Sequence, residues 1–143
     1  MIVFSTTSIF LMLLYLLKNN DFMMTKLIKL LYTGVIFSVV MVFFINPGIP
    51  GRKYYQKNYK IKEGITYFLC KKCNLAIPDE LNSAHCEKCK ICILSHDHHC
   101  NWVGKCIGKG NIIFFVGFLI SFILFLFTSF FIIFIIFTKI NKN

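Results

Sequence analysis

The residue types that can do chemistry in this chain are concentrated in one stretch. All seven cysteines and all four histidines lie between residues 46 and 111 of the 143-residue chain. Two Cys-x2-Cys pairs, Cys70–Cys73 and Cys86–Cys89, are separated by twelve residues. A tight turn within each pair aims two sulfur atoms at one tetrahedral ion, which is the spacing typical of zinc sites. The sequence therefore predicts zinc binding.

The stretch offers more ligands than one ion needs. Seven cysteines and four histidines make eleven candidates, whereas two tetrahedral sites use eight and leave three. Spacing alone does not choose the eight, since Cys70, Cys73, Cys86 and Cys89 could close one site and an interleaved arrangement is equally allowed. A set of reduced, buried thiols is the competing interpretation, which we disfavour because the segment has few large apolar residues. Metal binding would supply the folding free energy of its short hairpins and turns.

Long apolar segments flank this stretch. A hydrophobic fraction of 57% with only 15% charged residues is the wrong balance for a water-soluble domain, a disordered chain or a coiled coil. We predict an α-helical integral membrane protein with transmembrane helices at 2–17, 27–45 and 112–138, because backbone in lipid must satisfy its hydrogen bonds locally. A signal peptide is the alternative for the first segment, disfavoured because no basic residue precedes it and no small-residue cleavage site follows it.

The basic residues orient these segments. Residues 46–111 carry 11 of the 16 Lys and Arg, whereas the loop between the first two spans carries Lys18 and Lys26. The positive-inside rule therefore places the cysteine-rich segment in the cytosol. The cytosol is reducing, so clustered cysteines there are metal ligands or reactive thiols rather than disulfides. We expect a multi-pass protein of the ER, the Golgi or the plasma membrane.

A basic and aromatic linker, 46–69, joins the second span to the cysteine-rich domain, 70–111, and a short tail, 139–143, follows the third span. The net charge of +10 favours membrane lipids over nucleic acid as the partner, because the linker residues suit a belt against anionic headgroups. A solvated linker is the alternative. We find no internal repeat. The belt residues are Arg52, Lys53, Tyr54, Tyr55, Lys57, Tyr59, Lys60, Lys62 and Tyr67.

Several motifs of this chain resemble those of one enzyme family, the DHHC-type protein S-acyltransferases (palmitoyltransferases). Asp97-His98-His99-Cys100, followed by Trp102-Val103 and Cys106-Ile107-Gly108, resembles the family signature. Two further motifs resemble parts of the family's cysteine-rich domain: His85-Cys86-x2-Cys89-x2-Cys92 and Cys70-x2-Cys73. Asn111 and Phe115 fit the continuation of that domain. Asn46-Pro47-Gly48 resembles its Asp-Pro-Gly motif.

The resemblance implies two interleaved structural zinc ions. One would be held by Cys70, Cys73, His85 and Cys92, and the other by Cys86, Cys89, His99 and Cys106.

It also implies a two-step acyl transfer through Cys100. This thiol would take a long-chain acyl group, such as palmitate, from acyl-CoA and pass it to cysteines of membrane-associated protein substrates. A free thiol flanked by His and Asp has the parts of an activated nucleophile, with His98 as general base and Asp97 orienting its ring. His96 is interpreted as an exposed loop residue without a role, with help to Cys100 or contact with the CoA phosphates as the alternative. Basic candidates for the CoA phosphates are Arg52, Lys53, Lys105 and Lys109, each of which could equally be a solvated charge.

The chain departs from the family pattern in several places. Asn101 stands where the family has Pro, Lys105 stands where it has Asn, and 77–82 replaces its basic-Pro-x-Arg stretch. The resemblance also leads us to expect a fourth span with a Thr-Thr-x-Glu motif after it, whereas the sequence ends five residues after the third predicted span. Two other functions are therefore weighed: a non-catalytic membrane zinc module that binds partners, and a thiol-redox or metal-handling protein.

The predicted topology has a direct test. In sealed vesicles with the cytosolic face outward, protease should cleave within residues 46–111, because the positive-inside rule leaves that segment outside the lumen. Protection of the segment until detergent is added would contradict this topology.

Overall fold

The computed structural model describes residues 2–17, 22–56 and 63–142. These residues form three α-helices and six short strands. The helices are α1 (Ile2–Leu16), α2 (Phe22–Phe44) and α3 (Ile112–Ile140). The strands are β1 (Tyr67–Cys70), β2 (Leu75–Pro78), β3 (Ala84–Cys86), β4 (Ile91–Ile93), β5 (His98–Cys100) and β6 (Lys105–Ile107).

Two of the three helices are long and apolar enough to cross a membrane. These are α2, with 23 residues, and α3, with 29. The 15-residue α1 reaches about 22 Å at 1.5 Å per residue, against a hydrocarbon core of about 30 Å. The structure thus supports two of the three predicted spans by length and composition.

Helix α2 begins five residues before the apolar run predicted at 27–45. The ammonium of Lys26 lies 4.0 Å from the centre of the Phe22 ring, and this cation–π contact lets the charged residue sit within the first turns of the helix. The helix ends at Phe44, shortly before Pro47, as expected because a proline disfavours helical backbone in the residue that precedes it.

The chain divides into two compact units, and the first is helical. It contains α1, α2 as far as Val40, and α3 from Phe114. Its buried core takes side chains from all three helices, and the rings of Phe10 and Tyr32 stack with their centres 4.0 Å apart. The core residues are Leu13, Leu17, Ile28, Val35, Phe118, Phe125 and Ile132.

Small residues bring α2 and α3 close together. A Cβ built on Gly34 would lie 3.6 Å from the Ser121 Cβ, and one built on Gly117 would lie 3.6 Å from the Ser38 hydroxyl. The two contacts run in opposite directions along the helices, so the helices are antiparallel. Pairs of small residues spaced four apart are the usual means by which apolar helices pack closely in lipid.

The second unit extends from Met41 to Ile113. Its strands form three antiparallel hairpins: β1 with β2, β3 with β4, and β5 with β6. Each hairpin has a four-residue turn, and the last residue of each turn has positive φ: Asn74 (54°), Lys90 (58°) and Gly104 (69°). The predicted short hairpins are therefore present, in three copies. We call this part of the chain the knuckle unit.

The segment that follows α2 forms hydrogen bonds with other parts of the knuckle unit. The Asn46 side chain accepts hydrogen bonds from the backbone amides of Gly48 and Ile49. The Leu94 amide donates to the Gly48 carbonyl at 2.8 Å, and the Gly110 amide donates to the Pro47 carbonyl at 3.1 Å. Backbone approaches Gly110 so closely that no side chain fits there.

Part of the predicted linker belongs to this unit rather than to a membrane belt. Tyr54 is buried against Cys70, Leu75 and Ile77, so its place in the belt was predicted wrongly. Lys57, Tyr59, Lys60 and Lys62 lie outside the described residues.

The close approach of α2 and α3 predicts that replacing Gly34 or Gly117 with a large residue destabilises the protein. Gly34→Leu and Gly117→Leu should each lower the thermal unfolding midpoint in detergent by several degrees, because overpacking costs about 1–3 kcal/mol. The matched Gly→Ala variants should behave like the wild type, since 3.6 Å is an ordinary contact. Wild-type midpoints for both leucine variants would show that the helices do not pack at these residues.

Candidate metal centre and reactive thiol

One set of four donor atoms comes from the first two hairpins. The Sγ atoms of Cys70, Cys73 and Cys92 and one ring nitrogen of His85 lie within 4.8 Å of one another. The His85 Nδ1 atom is 3.6, 3.2 and 3.8 Å from the three sulfurs in that order. A tetrahedral zinc ion with ordinary bond lengths separates sulfur from nitrogen by about 3.6 Å. These residues therefore fit a zinc ion.

A second set of the same composition comes from the second and third hairpins. His99 Nδ1 is 3.6 Å from Cys86 Sγ, 3.3 Å from Cys89 Sγ and 3.7 Å from Cys106 Sγ. The four donor atoms again lie within 4.8 Å of one another. Three sulfurs with one imidazole nitrogen is a donor set typical of structural zinc. The structure thus brings together both groups that the resemblance implies, and excludes the arrangement in which the two Cys-x2-Cys pairs share one ion.

Strand register explains why the two sets interleave. His85 pairs directly with Cys92 across the second hairpin, and His99 pairs with Cys106 across the third. Successive side chains in a strand point to opposite faces, so His85 and Cys86 serve different ions. The second hairpin therefore supplies a cross-strand His–Cys pair to the first site and its own turn to the second.

Two thiols in each set have pKa values shifted in opposite directions. Burial, reinforced by hydrogen bonds with Cys70 and Cys73, raises the pKa of Cys92 above its usual range. Burial opposes ionisation of Cys70 too, but hydrogen bonds from the Cys73 amide and the Cys92 side chain bring the pKa of its thiol below the ordinary value. The second set repeats this pattern, with the pKa of Cys106 raised and the pKa of Cys86 lowered. A divalent cation removes the conflict, because coordinated thiols lose their protons.

Five of the seven thiols are buried in the knuckle unit: Cys70, Cys86, Cys92, Cys100 and Cys106. The sequence argument that this segment has too few apolar residues to bury them was wrong. Leu75, Ile77 and Ile93 pack around the sulfurs in two small clusters. Burial and metal binding therefore act together here, since the small core also keeps water from the donor atoms.

The exposed carboxylate of Glu87 lies near the second ring nitrogen of His85, the histidine of the first donor set. The Nε2 atom of His85 is buried without a hydrogen-bond partner among the described residues, and Glu87 Oε1 lies 4.0 Å from it. Glu87 also pairs with the Lys72 ammonium, so it joins the turns of the first two hairpins. A carboxylate that accepts a hydrogen bond from a ligand histidine orients its ring and raises its basicity, but at 4.0 Å Glu87 is beyond hydrogen-bond distance and acts on His85 only through its charge. Sequence reasoning missed Glu87, although its place within the Cys86-x2-Cys89 turn was a signal.

The three hairpins repeat one pattern, which corrects the expectation of no internal repeat. The last residue of the first strand is a cysteine in each: Cys70, Cys86 and Cys100. Three residues later the first two hairpins have Cys73 and Cys89, whereas the third has Val103. Within the described residues, Cys100 belongs to neither donor set. Cys100 thus ends the first strand of its hairpin, as Cys70 and Cys86 do, but the turn that follows it contains no second cysteine.

Strand alternation places the groups beside Cys100. His98 and Cys100 are two residues apart in β5, so their side chains share a face, while His99 points to the second metal site. The His98 Nδ1 atom lies 2.9 Å from Asp97 Oδ2. This bond orients the imidazole ring. Cys100 itself is only 6% exposed.

The remaining sequence candidates lie in different surroundings. Lys109 and His96 line a cavity of about 420 Å³ beside Asp97. His96 is half-buried, and its Nε2 atom is buried without a partner among the described residues, so it is not the exposed loop histidine that we expected. Arg52 and Lys53 lie in a short 3-10 turn after α2.

Comparison with known proteins agrees with this architecture. The family model described as DHHC palmitoyltransferase matches residues 63–143, more than half of the chain. The chain belongs to this family. It is 50% identical over 52 residues to palmitoyltransferase ERF2 of Kluyveromyces lactis, covering 36% of this chain and 14% of that protein.

Two further relatives match over longer stretches. Palmitoyltransferase PFA3 of Candida glabrata is 33% identical over 101 residues, covering 64% of this chain and 30% of that protein. Palmitoyltransferase ZDHHC7 of Mus musculus is 41% identical over 66 residues, covering 46% of this chain and 21% of that protein. The DHHC chain described here thus matches less than a third of the length of each of these relatives.

The donor sets predict zinc stoichiometry. The purified protein should bind two zinc ions per chain, and Cys100→Ser should keep both, because this thiol is outside the two sets. Cys92→Ser and Cys106→Ser should each lose at least one ion, measured by elemental mass spectrometry, since a hydroxyl replaces a thiolate ligand. Loss of zinc from Cys100→Ser, or its retention in both other variants, would contradict the assignment.

Proposed function

We propose that this chain is a protein S-acyltransferase in which Cys100 carries the acyl group as a thioester. The observation that carries the proposal is a thiol outside two complete donor sets, on the same strand face as a histidine that bonds to an aspartate. Membership of the DHHC palmitoyltransferase family supports it.

The first half-reaction uses groups of this chain alone. His98 takes the proton from the Cys100 thiol, and the thiolate attacks the carbonyl carbon of the acyl-CoA thioester. The bond from that carbon to the CoA sulfur breaks, and the departing CoA thiolate takes the proton back from the His98 imidazolium. The Asp97 carboxylate stabilises the imidazolium meanwhile.

The second half-reaction repeats these steps with a protein substrate. A cysteine thiol of the substrate gives its proton to His98, and its sulfur attacks the carbonyl carbon of the Cys100 thioester. The bond from that carbon to the Cys100 sulfur breaks, and the departing Cys100 thiolate takes the proton back from His98. One thioester replaces another in each step, so positioning and thiolate formation supply most of the catalysis. Burial of Cys100 supports the proposal in a further way, because it keeps water from hydrolysing the intermediate.

The zinc ions have a structural role in this proposal. When bound, they would fix His99 and Cys106, the residues that hold β5 and β6 in register around Cys100. Their four-ligand sets leave no open position for a substrate.

We propose membrane lipids as the surroundings of this reaction and a long-chain acyl-CoA such as palmitoyl-CoA as the donor. A C16 chain must leave water, and each buried methylene contributes about 0.8 kcal/mol. Three membrane spans formed by α1, α2 and α3, with the knuckle unit in the cytosol of an endomembrane or the plasma membrane, would provide the apolar surface.

Among the four basic candidates for the CoA phosphates, Lys109 is the best placed because it lines the cavity beside Asp97. Arg52 and Lys53 remain candidates on the exposed turn after α2. A zinc module without catalysis, acting in partner binding, is the second function. It is favoured by the completeness of the two donor sets, which need no reaction to explain them.

Autoacylation separates the two functions. Purified protein incubated with labelled palmitoyl-CoA should form a hydroxylamine-labile adduct, and Cys100→Ala should form none. His98→Ala should slow adduct formation by about 10²–10⁴-fold, the usual contribution of a general base. Asp97→Asn should also slow it, because the amide no longer stabilises the imidazolium.

Zinc content is the control for each variant, since none of these three residues is a metal ligand. A wild-type protein with two zinc ions and no adduct would favour the partner-binding module. An adduct that persists in Cys100→Ala would place the nucleophile elsewhere.

A further inference from the structure

The third hairpin also differs from the other two in the second strand. The cysteine that ends the first strand pairs with Leu75 in the first hairpin and with Ile91 in the second, but with Lys105 in the third. Directly paired residues of an antiparallel hairpin have Cβ atoms about 5 Å apart. The Lys105 side chain therefore starts beside Cys100, on the same face of the hairpin.

The Lys105 ammonium is held at the end of α2. It donates hydrogen bonds to the carbonyl oxygens of Phe43, at 2.6 Å, and Ile45, at 2.7 Å. The last carbonyls of a helix have no partner within the helix, and a cation there also suits the helix dipole. Lys105 thus caps the carboxyl end of α2 with the same side chain that lies opposite Cys100.

A second side chain joins the same two parts. Asn111 is fully buried. Its amide nitrogen donates to the Cys106 carbonyl at 3.1 Å and to the Val42 carbonyl at 3.5 Å, and its oxygen accepts from the Gly108 amide at 3.0 Å. The strand that follows Cys100 is therefore fixed to the last turn of α2 on both sides of Cys106.

We propose that Lys105 is a positioning residue for Cys100, taking the place that a metal ion has in the other two knuckles. In those, a bound ion would hold the first cysteine, the turn and the next hairpin together. The second ion would hold His99 and Cys106 of the third hairpin but would leave Cys100 without a ligand bond, and the hydrogen bonds from Lys105 to α2 fix the residue directly opposite that thiol. The proposal rests on the role of Cys100 as nucleophile.

This inference differs from the sequence interpretation of Lys105 as a CoA contact. Loss of a CoA contact raises the half-saturating concentration of acyl-CoA, whereas loss of a positioning residue lowers the maximal rate at which Cys100 reacts. The two roles therefore separate in single-turnover kinetics over a range of acyl-CoA concentrations.

The experiment compares Lys105→Met, which keeps the stem and removes the ammonium, with Lys105→Arg, which restores a cationic donor. We expect Lys105→Met to retain two zinc ions, to lower the maximal rate of Cys100 acylation at least tenfold and to change the half-saturating acyl-CoA concentration less than twofold. Lys105→Arg should recover most of the rate. Lys71→Met, an equal charge change at an exposed knuckle position, should match the wild type.

A second measurement needs no acyl donor. In the zinc-loaded protein six cysteines would be ligands, so the maleimide labelling rate of Cys100 is obtained as the difference from the Cys100→Ser protein. Lys105→Met should raise its labelling rate at least threefold, because the buried thiol becomes accessible when its strand loosens, while Lys105→Arg and Lys71→Met should not. If the wild type forms no acyl adduct but the labelling rates differ in this way, the positioning role stands and the acyltransferase proposal fails.

Three results would overturn the inference. Wild-type acylation and labelling rates for Lys105→Met would show that the contact positions nothing. A tenfold higher half-saturating concentration at unchanged maximal rate would make Lys105 a CoA contact. Loss of zinc from both Lys105→Met and Lys105→Arg would make it a structural residue of the Cys106 site.

Discussion

Four donor atoms crowded within a few ångströms are the constraint on which the rest of the knuckle unit depends. Three sulfurs and one ring nitrogen lie within 4.8 Å in each set, and without a cation such thiols repel one another once ionised. The hairpins are only three or four residues long per strand, too short to be stable alone. The fold of this unit therefore serves largely to present ligands, and the free energy of metal binding would stabilise it.

The proposed nucleophile, Cys100, belongs to the same repeated element. A knuckle hairpin places its first cysteine at the end of a strand, where the turn amides and the opposite residue define its surroundings. In the third copy Val103 replaces the second cysteine, and the first is left without a metal partner. The chemistry proposed for Cys100 would thus arise where the repeat is incomplete. His98 lies on β5 beside His99 of the second donor set, and Asp97 directly precedes that strand.

Much of this could be predicted from the sequence, and the reasons for the rest are physical. A four-residue turn after Cys86 pairs His85 with Cys92, and the same turn after Cys100 pairs His99 with Cys106. Spacing alone did not choose between this arrangement and the one in which the two Cys-x2-Cys pairs share an ion, because the turn lengths and hence the strand register were not known from the sequence; the family resemblance supplied the interleaved sets. The repeat was missed because Val103 and Lys105 break it. The contact of Lys105 with Phe43 and Ile45 joins residues about sixty positions apart. It could not be predicted, because a local sequence pattern contains no information on such a distant contact. The start of α2 at Phe22 was missed because the apolar run was taken to mark the helix, while the backbone continued past Lys26.

The second hairpin contributes to both metal sites, and this sharing has a thermodynamic consequence. An ion bound by Cys70, Cys73, His85 and Cys92 orders the hairpin whose turn carries Cys86 and Cys89, and so lowers the entropic cost of assembling the other set. Occupancy of the two sites would therefore be linked, with each ion raising the affinity for the other. Loss of zinc from the first site would then weaken the second, and so loosen the hairpin that carries Cys100 although none of the first site's ligands belongs to it.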